Sequence, residues 1–573
     1  MMHPRSLALA CCLLFPGVAA WAGIEDLRAE YRDGQVFLQW REVALPDKCT
    51  LNVYIHNRPI DAGNLADARR VGFHIEPHSA RDWTKDPASF EPDDPAAPPV
   101  GFRIQDGGPR LDPQDGLFVH TVTARDAADS FYAVTFSEYP PKAEPVERTD
   151  LPPGANTLAQ PVRQQVAPIR PVWDAPGQPP RPAAGLPLLL VLHSRRGGRT
   201  MNYYDYMLFG DAQQGWREGL PHFFKVVVEA DHVRVLPSDR VWLGRGRAFH
   251  SFWYGYNSLI YLPRAMQEKG QVVNYGERRL LWLLDWAQRE FKTDPDRVYV
   301  TGSSMGGCGT ISMALHHPQR FAAAHAHVPV VAYTLPVAGY TQGTDWRLTG
   351  MAGPLAGKAP TSDGMTLLER MDGVAWAEKA RDLPFISLVN GRMDGSIPWY
   401  NNPPFYAAMN RARHAFAAYW DNGGHGDAGA NAPEDVKAWQ NTSRSLLRYS
   451  LKSSFPAFSN CSADLNPGNG QKTDGDVVGW INRGMDWKDV EDAPDRYAVS
   501  VAARFDGLTY PVTVDMTPRR ALRFTPAAGA VLAVSVNGNA VADVTTDAQR
   551  LVTVPKVVLP SADWVRIEIT SRP

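Results

Sequence analysis

The apolar and polar residues of this chain follow three different rhythms, one after another. From 23 to 138 they alternate in short bursts, "QVFLQW", "LNVYIHN", "LFVHTVTA" and "SFYAVTFSE", set apart by Gly, Asp and Pro clusters. A period of two gives each segment one core face and one solvent face, which predicts the antiparallel strands of a sandwich. Between 187 and 455 the apolar runs become continuous: "LPLLLVLH", "FKVVVEAD", "RVYVTG", "FAAAHAHVP" and "LPFISLVNG". Such runs suit strands buried on both faces of a parallel sheet. Helical spacing fills the gaps, most clearly in "YGERRLLWLLDWAQREF", where Leu280, Leu284, Ala287 and Phe291 recur along one side. Strand and helix in alternation predict a doubly wound, mainly parallel α/β sheet. From 456 to 573 the period of two returns in "RYAVSVAARF", "YPVTVDMTP" and "AVLAVSVNGNAVADV", whose Asn-Gly pair signals a hairpin, so a second β-sandwich domain is expected. The proline-dense stretch 139–186 reads as a linker.

Composition narrows the picture without adding a partner. The 573 residues carry 59 Lys+Arg against 61 Asp+Glu, a net charge of −2. That balance favours neither nucleic acid nor a polyanionic surface. The opening 1–22 has His3 and Arg5, an apolar core, and the small-x-small ending Ala20-Trp21-Ala22, the pattern of a cleavable secretory signal. A secreted or periplasmic protein is expected, with no membrane span in its mature form. Loss of that segment removes Cys11 and Cys12 and leaves Cys49, Cys308 and Cys461, which allow at most one disulfide and offer no C-x-x-C metal spacing. No metal and no cofactor is implied.

The chemistry concentrates in "RVYVTGSSMGGCGT". Gly302-Ser303-Ser304-Met305-Gly306 fits G-x-S-x-G between an expected strand and an expected helix, where a serine is held in a sharp turn above the sheet. Ser304 is the candidate nucleophile and Ser303 a spacer in the wrong register. A serine nucleophile needs a base, and on such a sheet the chain order is Ser, acid, His. Beyond residue 394 only His414 and His425 remain. His414 ends a helical pattern, where a helix-terminal cation is the simpler role. His425, in the loop "DNGGHGD", is the candidate base, and Asp394, in "VNGRMDGSIPW", the candidate acid that would orient it. The oxyanion donors would be the amide of Met305 and one from the loop "LHSRRGGRT", with Ser194 first and Arg195 as fallback. Cys308, one turn past Ser304, is expected to be buried and inert.

Two resemblances extend this reading. "LRAEYRDGQVFLQWRE", with Trp40 in its second strand, resembles a fibronectin type III module, although "KDPASFEPDDPAAPP" is a long insertion. "DPDRVYVTGSSMGG", "NGRMDGSIP" and "NGGHG" resemble the secreted α/β-hydrolase esterases related to feruloyl esterases and polyhydroxyalkanoate depolymerases, and also prolyl-oligopeptidase-type catalytic domains. The resemblance implies a metal-free Ser304–Asp394–His425 triad and an ester substrate, with a decorated polysaccharide or a polyester as the expected carrier. Here His193-Ser194-Arg195-Arg196 replaces the glycine-rich oxyanion run of those families. Arg195, Arg196 and Arg199 are candidates for binding a substrate carboxylate, with plain solvent-facing loop arginines the equal alternative. Trp253, Tyr254 and Tyr256, with Trp399 and Tyr400, are candidates for an aromatic platform, with core packing the more common role of aromatics at such positions. A peptidase with the same triad is the runner-up; its usual β-propeller finds no counterpart in the short N-terminal module. A glycan-binding protein with a vestigial hydrolase domain is the alternative from another class.

Overall fold

The computed structural model describes residues 23–572 apart from 33–34, 47–48, 76, 82–97, 105–107, 122–128, 139–156, 159–161, 166–182, 196–223, 238, 240, 245–246, 261–263, 335–344, 381 and 441–445. The signal segment 1–22, Arg196, Arg199 and most of the proline-rich stretch lie outside the described residues.

Two sheets form the N-terminal part. One contains Gly23–Arg32, Gln35–Val43 and Gly116–Thr121; the other contains Cys49–His56, Arg69–Ile75 and Asp129–Glu138. Their inward-facing residues, among them Val36, Leu38, Trp40, Val53, Phe118 and Val134, share one core. Tyr256, Ile260, Val273 and Tyr275 join the same core, so this part packs directly on residues 256–275 of the middle of the chain. Thr157–Leu158 and Val162–Gln165, inside the proline-rich stretch, pair as short strands with Asp129–Glu138.

The middle of the chain builds an eight-stranded sheet. Its strands in chain order are β1 (Leu188–Leu192), β2 (Phe224–Val228), β3 (Val233–Pro237), β4 (Val298–Ser303), β5 (Ala323–His327), β6 (Phe385–Gly391), β7 (Phe416–Asp421) and β8 (Gly479–Ile481). Across the sheet they run β2-β3-β1-β4-β5-β6-β7-β8. The six strands from β3 to β7 are parallel, and β2 and β8 are antiparallel to their neighbours. The continuous apolar runs therefore became parallel strands except "FKVVVEAD", which is the antiparallel β2; on one side of the sheet Leu189, Tyr299 and Ala323 pack against Leu446, Tyr449, Phe455 and Ala457, and the other side is covered by helices. Among these are α1 (Tyr275–Phe291), which matches the helical periodicity over its full length, and α2 (Met305–His316).

The outermost strand, β8, comes from beyond residue 456. Gly479 lies opposite Trp420, and a side chain there would meet the indole at 2.2 Å, so glycine permits the pairing. The rest of the C-terminal part is two sheets sharing a core of Val499, Val501, Val514, Leu559, Ile567 and others. Its Asn-Gly hairpin forms: Asn537 and Gly538 have φ of 50° and 78°, and Val531–Val536 pairs with Asn539–Ala540. Cys49, Cys308 and Cys461 are free and buried. Among the described residues no helix is long and apolar enough to cross a membrane.

Candidate active site

The turn after β4 is forced by its glycines. Ser304 has φ 57° and ψ −119°, a conformation rare for a residue with a side chain. A Cβ at Gly302 would lie 2.4 Å from the Gly306 backbone, and one at Gly306 would lie 1.9 Å from the Leu192 carbonyl oxygen. The end of β1 thus presses on the first turn of α2, and only glycine admits the approach. Ser304 N–H is held by the His327 carbonyl at 2.9 Å.

Three separated loops meet at the serine. Ser304 Oγ is 2.8 Å from His425 Nε2, and His425 Nδ1 is 2.7 Å from Asp394 Oδ2. Asp394 is 2% exposed, and its other oxygen accepts the N–H groups of Ser396 at 2.7 Å and Ile397 at 2.8 Å. With Nδ1–H donated to the carboxylate, Nε2 is left to accept the serine proton. Asp421, too near His425 in sequence to serve as the acid, instead shapes the histidine loop by accepting the N–H groups of Gly423 and Gly429 at 2.9 and 2.8 Å.

His414 is elsewhere and differs from expectation. It is buried, and burial first, then the neighbouring Arg519, push its pKa down to about 3. A neutral imidazole donating to the Ala377 carbonyl is the result, and the cation at that helix end is Arg519, which binds the Ala412 and Arg413 carbonyls.

The loop after β1 faces the elbow. His193 Nε2 accepts the Asp239 N–H at 2.8 Å, which leaves Nδ1–H to donate to the Ser194 carbonyl at 2.7 Å. Asp239 itself is fully buried; burial pushes its carboxyl up to about 7, opposed by donors from Ser251 and Trp253. Met305 is the first residue of α2, so its N–H has no partner within the helix.

The aromatic platform is corrected by burial. Trp253 is 0% exposed, wedged between the His193 ring at 4.9 Å and Gly309, where a Cβ would touch the indole at 2.5 Å. Tyr254 and Tyr256 are buried as well. Trp399, 1% exposed, donates to the Pro467 carbonyl and packs on Trp420. Neither tryptophan presents a face to a ligand. Another tryptophan not singled out in the sequence, Trp346, half-buried at the start of Trp346–Ala352, is taken up by protein cations: the Arg195 guanidinium is 4.3 Å and that of Arg347 4.7 Å from its ring centre. Arg347 is paired to Asp345 and donates to the Ser396 carbonyl, next to the Asp394 turn. The only advance signal was "DWR", an Asp helix cap beside the tryptophan. Cys308 is buried, its thiol pKa raised by burial, and it accepts the Val330 N–H.

A serine, histidine and carboxylate joined in line at the carboxyl end of a mainly parallel sheet is the arrangement serine hydrolases use for acyl transfer. Residues 265–453, which contain all three side chains, match the family model of putative esterases. No curated protein matches the chain. Similar solved structures include the fluorophosphonate-binding serine hydrolase F of Staphylococcus aureus, with 17% identity over 49% of this chain and 88% of that one at a TM-score of 0.29. An S-formylglutathione hydrolase from Agrobacterium tumefaciens shares 16% identity over 54% and 87% at 0.28. A ferulic acid esterase shares 12% over 56% and 92% at 0.28.

Proposed function

We propose that this protein is an exported serine hydrolase that cleaves carboxylic esters through an acyl-enzyme on Ser304. The observation that carries the reading is the continuous Ser304–His425–Asp394 hydrogen-bond chain inside the segment that matches putative esterases. His425 would take the Ser304 proton as Oγ attacks the ester carbonyl, then return it to the leaving alcohol. Water, deprotonated by the same imidazole, would release the acid. Asp394 would keep the imidazole oriented and stabilise its protonated form without taking the proton.

Charge developing on the carbonyl oxygen would be met by two amides. Met305 supplies one. The N–H and C=O of a trans peptide point in opposite directions, so binding of the Ser194 carbonyl to the His193 ring turns the Arg195 N–H away from that ring. The second donor is the amide of Ser194 or, with its N–H turned from that ring, of Arg195. Each such donor typically contributes about 3 to 4 kcal/mol of transition-state stabilisation.

The natural ester is proposed to sit on a polymer, a decorated polysaccharide or polyester, met outside the cytoplasm once the N-terminal signal is removed. Purified mature protein and its Ser304→Ala variant, offered short-chain p-nitrophenyl esters and prolyl-p-nitroanilides, test the reading. Ester turnover should dominate and should fall about 10⁶-fold in the variant. Dominant amide cleavage would make the chain a peptidase, and inactivity on both would favour a binding protein with a vestigial site.

A further inference from the structure

We propose that the β module following residue 455 is a working part of the active site: its loop 466–476 grips Arg392 and so holds the turn that presents Asp394 to His425. The inference rests on the serine-hydrolase reading above and assigns a role to a module that the reading leaves unexplained.

Arg392 leaves the end of β6 two residues before Asp394 and is 1% exposed. Its guanidinium, a rigid fork of donors with no acceptor, is enclosed by backbone carbonyls of a loop about 80 residues later in the chain. Nη1 donates to Asp476 at 2.5 Å and Gly475 at 3.3 Å. Nη2 donates to Lys472 at 2.6 Å and Asp474 at 2.8 Å, with Gln471 at 3.5 Å. A buried cation held this way cannot shift without stranding its charge.

The loop is built to turn its carbonyls inward. Its own side chains cap its N–H groups: Asp476 accepts from Asn466 and Asp474 from Asn469, both at 2.7 Å. Gly468, Gly470 and Gly475 take positive φ of 73°, 97° and 79°. The loop also touches the other side of the acid turn. Trp399, two residues past the Ile397 amide that binds Asp394, donates to the Pro467 carbonyl at 3.2 Å, and Gly470 lies where a Cβ would come within 2.6 Å of the Tyr400 backbone. Both ends of the segment 392–400 are therefore fixed by the same loop. The loop is fixed in turn, because Phe455–Ser459 before it belongs to a C-terminal sheet and β8 after it to the central sheet.

Arg392 touches neither Ser304 nor His425 in this chain of contacts, so it is a positioning residue. A packing role would lower stability alone; a positioning role lowers turnover through Asp394. The test uses the full chain with Arg392→Gln, Arg392→Lys and the loop variant Gly470→Ala, assayed on p-nitrophenyl butyrate with near-UV circular dichroism as a check of folding. Expected is a fall in kcat of about 10- to 100-fold at nearly constant KM, of the size a small misplacement of a catalytic group produces, with Lys partly restoring it. In an Asp394→Asn background Arg392→Gln should then reduce kcat less than about twofold further, since both changes act through one group. Folded variants with wild-type kcat, or fully multiplicative losses in the double variant, would overturn the proposal. Should Arg392→Gln fail to fold, Gly470→Ala, which leaves Arg392 intact, decides by the same kcat criterion. Ester turnover that survives Ser304→Ala would instead overturn the reading of the site itself.

Discussion

The His327 ring stands 3.0 Å from Ser303 Oγ through Nδ1 and donates from Nε2 to the Ala428 carbonyl at 2.9 Å. Ser303 and His327 are register partners on β4 and β5, and Ala428 belongs to the loop that carries His425. One imidazole thus ties the residue before the nucleophile to the loop of the base. Burial lowers the pKa of His327, which keeps it neutral with Nδ1 free to accept the Ser303 hydroxyl.

Replacing His327 by Phe should therefore reduce kcat about tenfold at unchanged KM, the equivalent of one or two lost hydrogen bonds. His327→Gln, which keeps a donor and an acceptor, should recover part of it. Steady-state kinetics on a p-nitrophenyl ester decide; equal activity in the Phe variant would reduce the bridge to packing.

Gly306→Ala should inactivate the protein without unfolding it. The new methyl would collide with the Leu192 carbonyl and push the loop after β1, proposed to carry an oxyanion donor, off the elbow. Loss of one oxyanion donor corresponds to roughly a 100-fold or greater fall in kcat. Kinetics paired with a thermal melt test this, and wild-type kcat would show that the loop yields harmlessly.

Trp253 is a test of burial against substrate contact. Trp253→Ala should cost about 3 to 5 kcal/mol of stability through the cavity it leaves. A urea titration measures it. A variant of unchanged stability whose KM alone rises would return Trp253 to the substrate.

Glu42 makes the N-terminal part sensitive to pH. Burial raises its pKa from the ordinary 4.5 to about 8, against the N–H of His78 and the indole of Trp40. The native state then holds a proton that the unfolded chain releases above about pH 4.5, so stability falls as pH rises from there to about 8, by up to roughly 1.4 kcal/mol per pH unit. Glu42→Gln should flatten that slope in melting temperatures recorded at pH 5, 6.5 and 8. A slope that persists in the variant assigns it to another group.

The parts of this molecule legible in sequence are those set by local pattern. β1, β4, β5 and β6 announced themselves as apolar runs, α1 by its spacing, and the loops of Ser304, Asp394 and His425 by glycine-bounded turns. What escaped depends on contacts distant in the chain. β8 is three residues long and is a strand only because Trp420 and its neighbours wait beside it. Nothing near Arg392 in sequence tells of carbonyls about 80 residues away. Trp253 and Trp399 read either as a platform or as core packing, because burial of a tryptophan depends on what packs over it, here Gly309 and the 466–476 loop.

The antiparallel seam between Phe416–Asp421 and Gly479–Ile481 also governs how the protein can be cut. A fragment ending near residue 455 would expose β7 as a bare edge, lined with unmet backbone donors and acceptors and flanked by an uncovered Trp420, which invites strand-to-strand aggregation. Expressed alone, the apparently self-sufficient middle of the chain should go to inclusion bodies, and tailoring this protein by swapping its last module for another should fail unless the new piece brings its own strand to that edge.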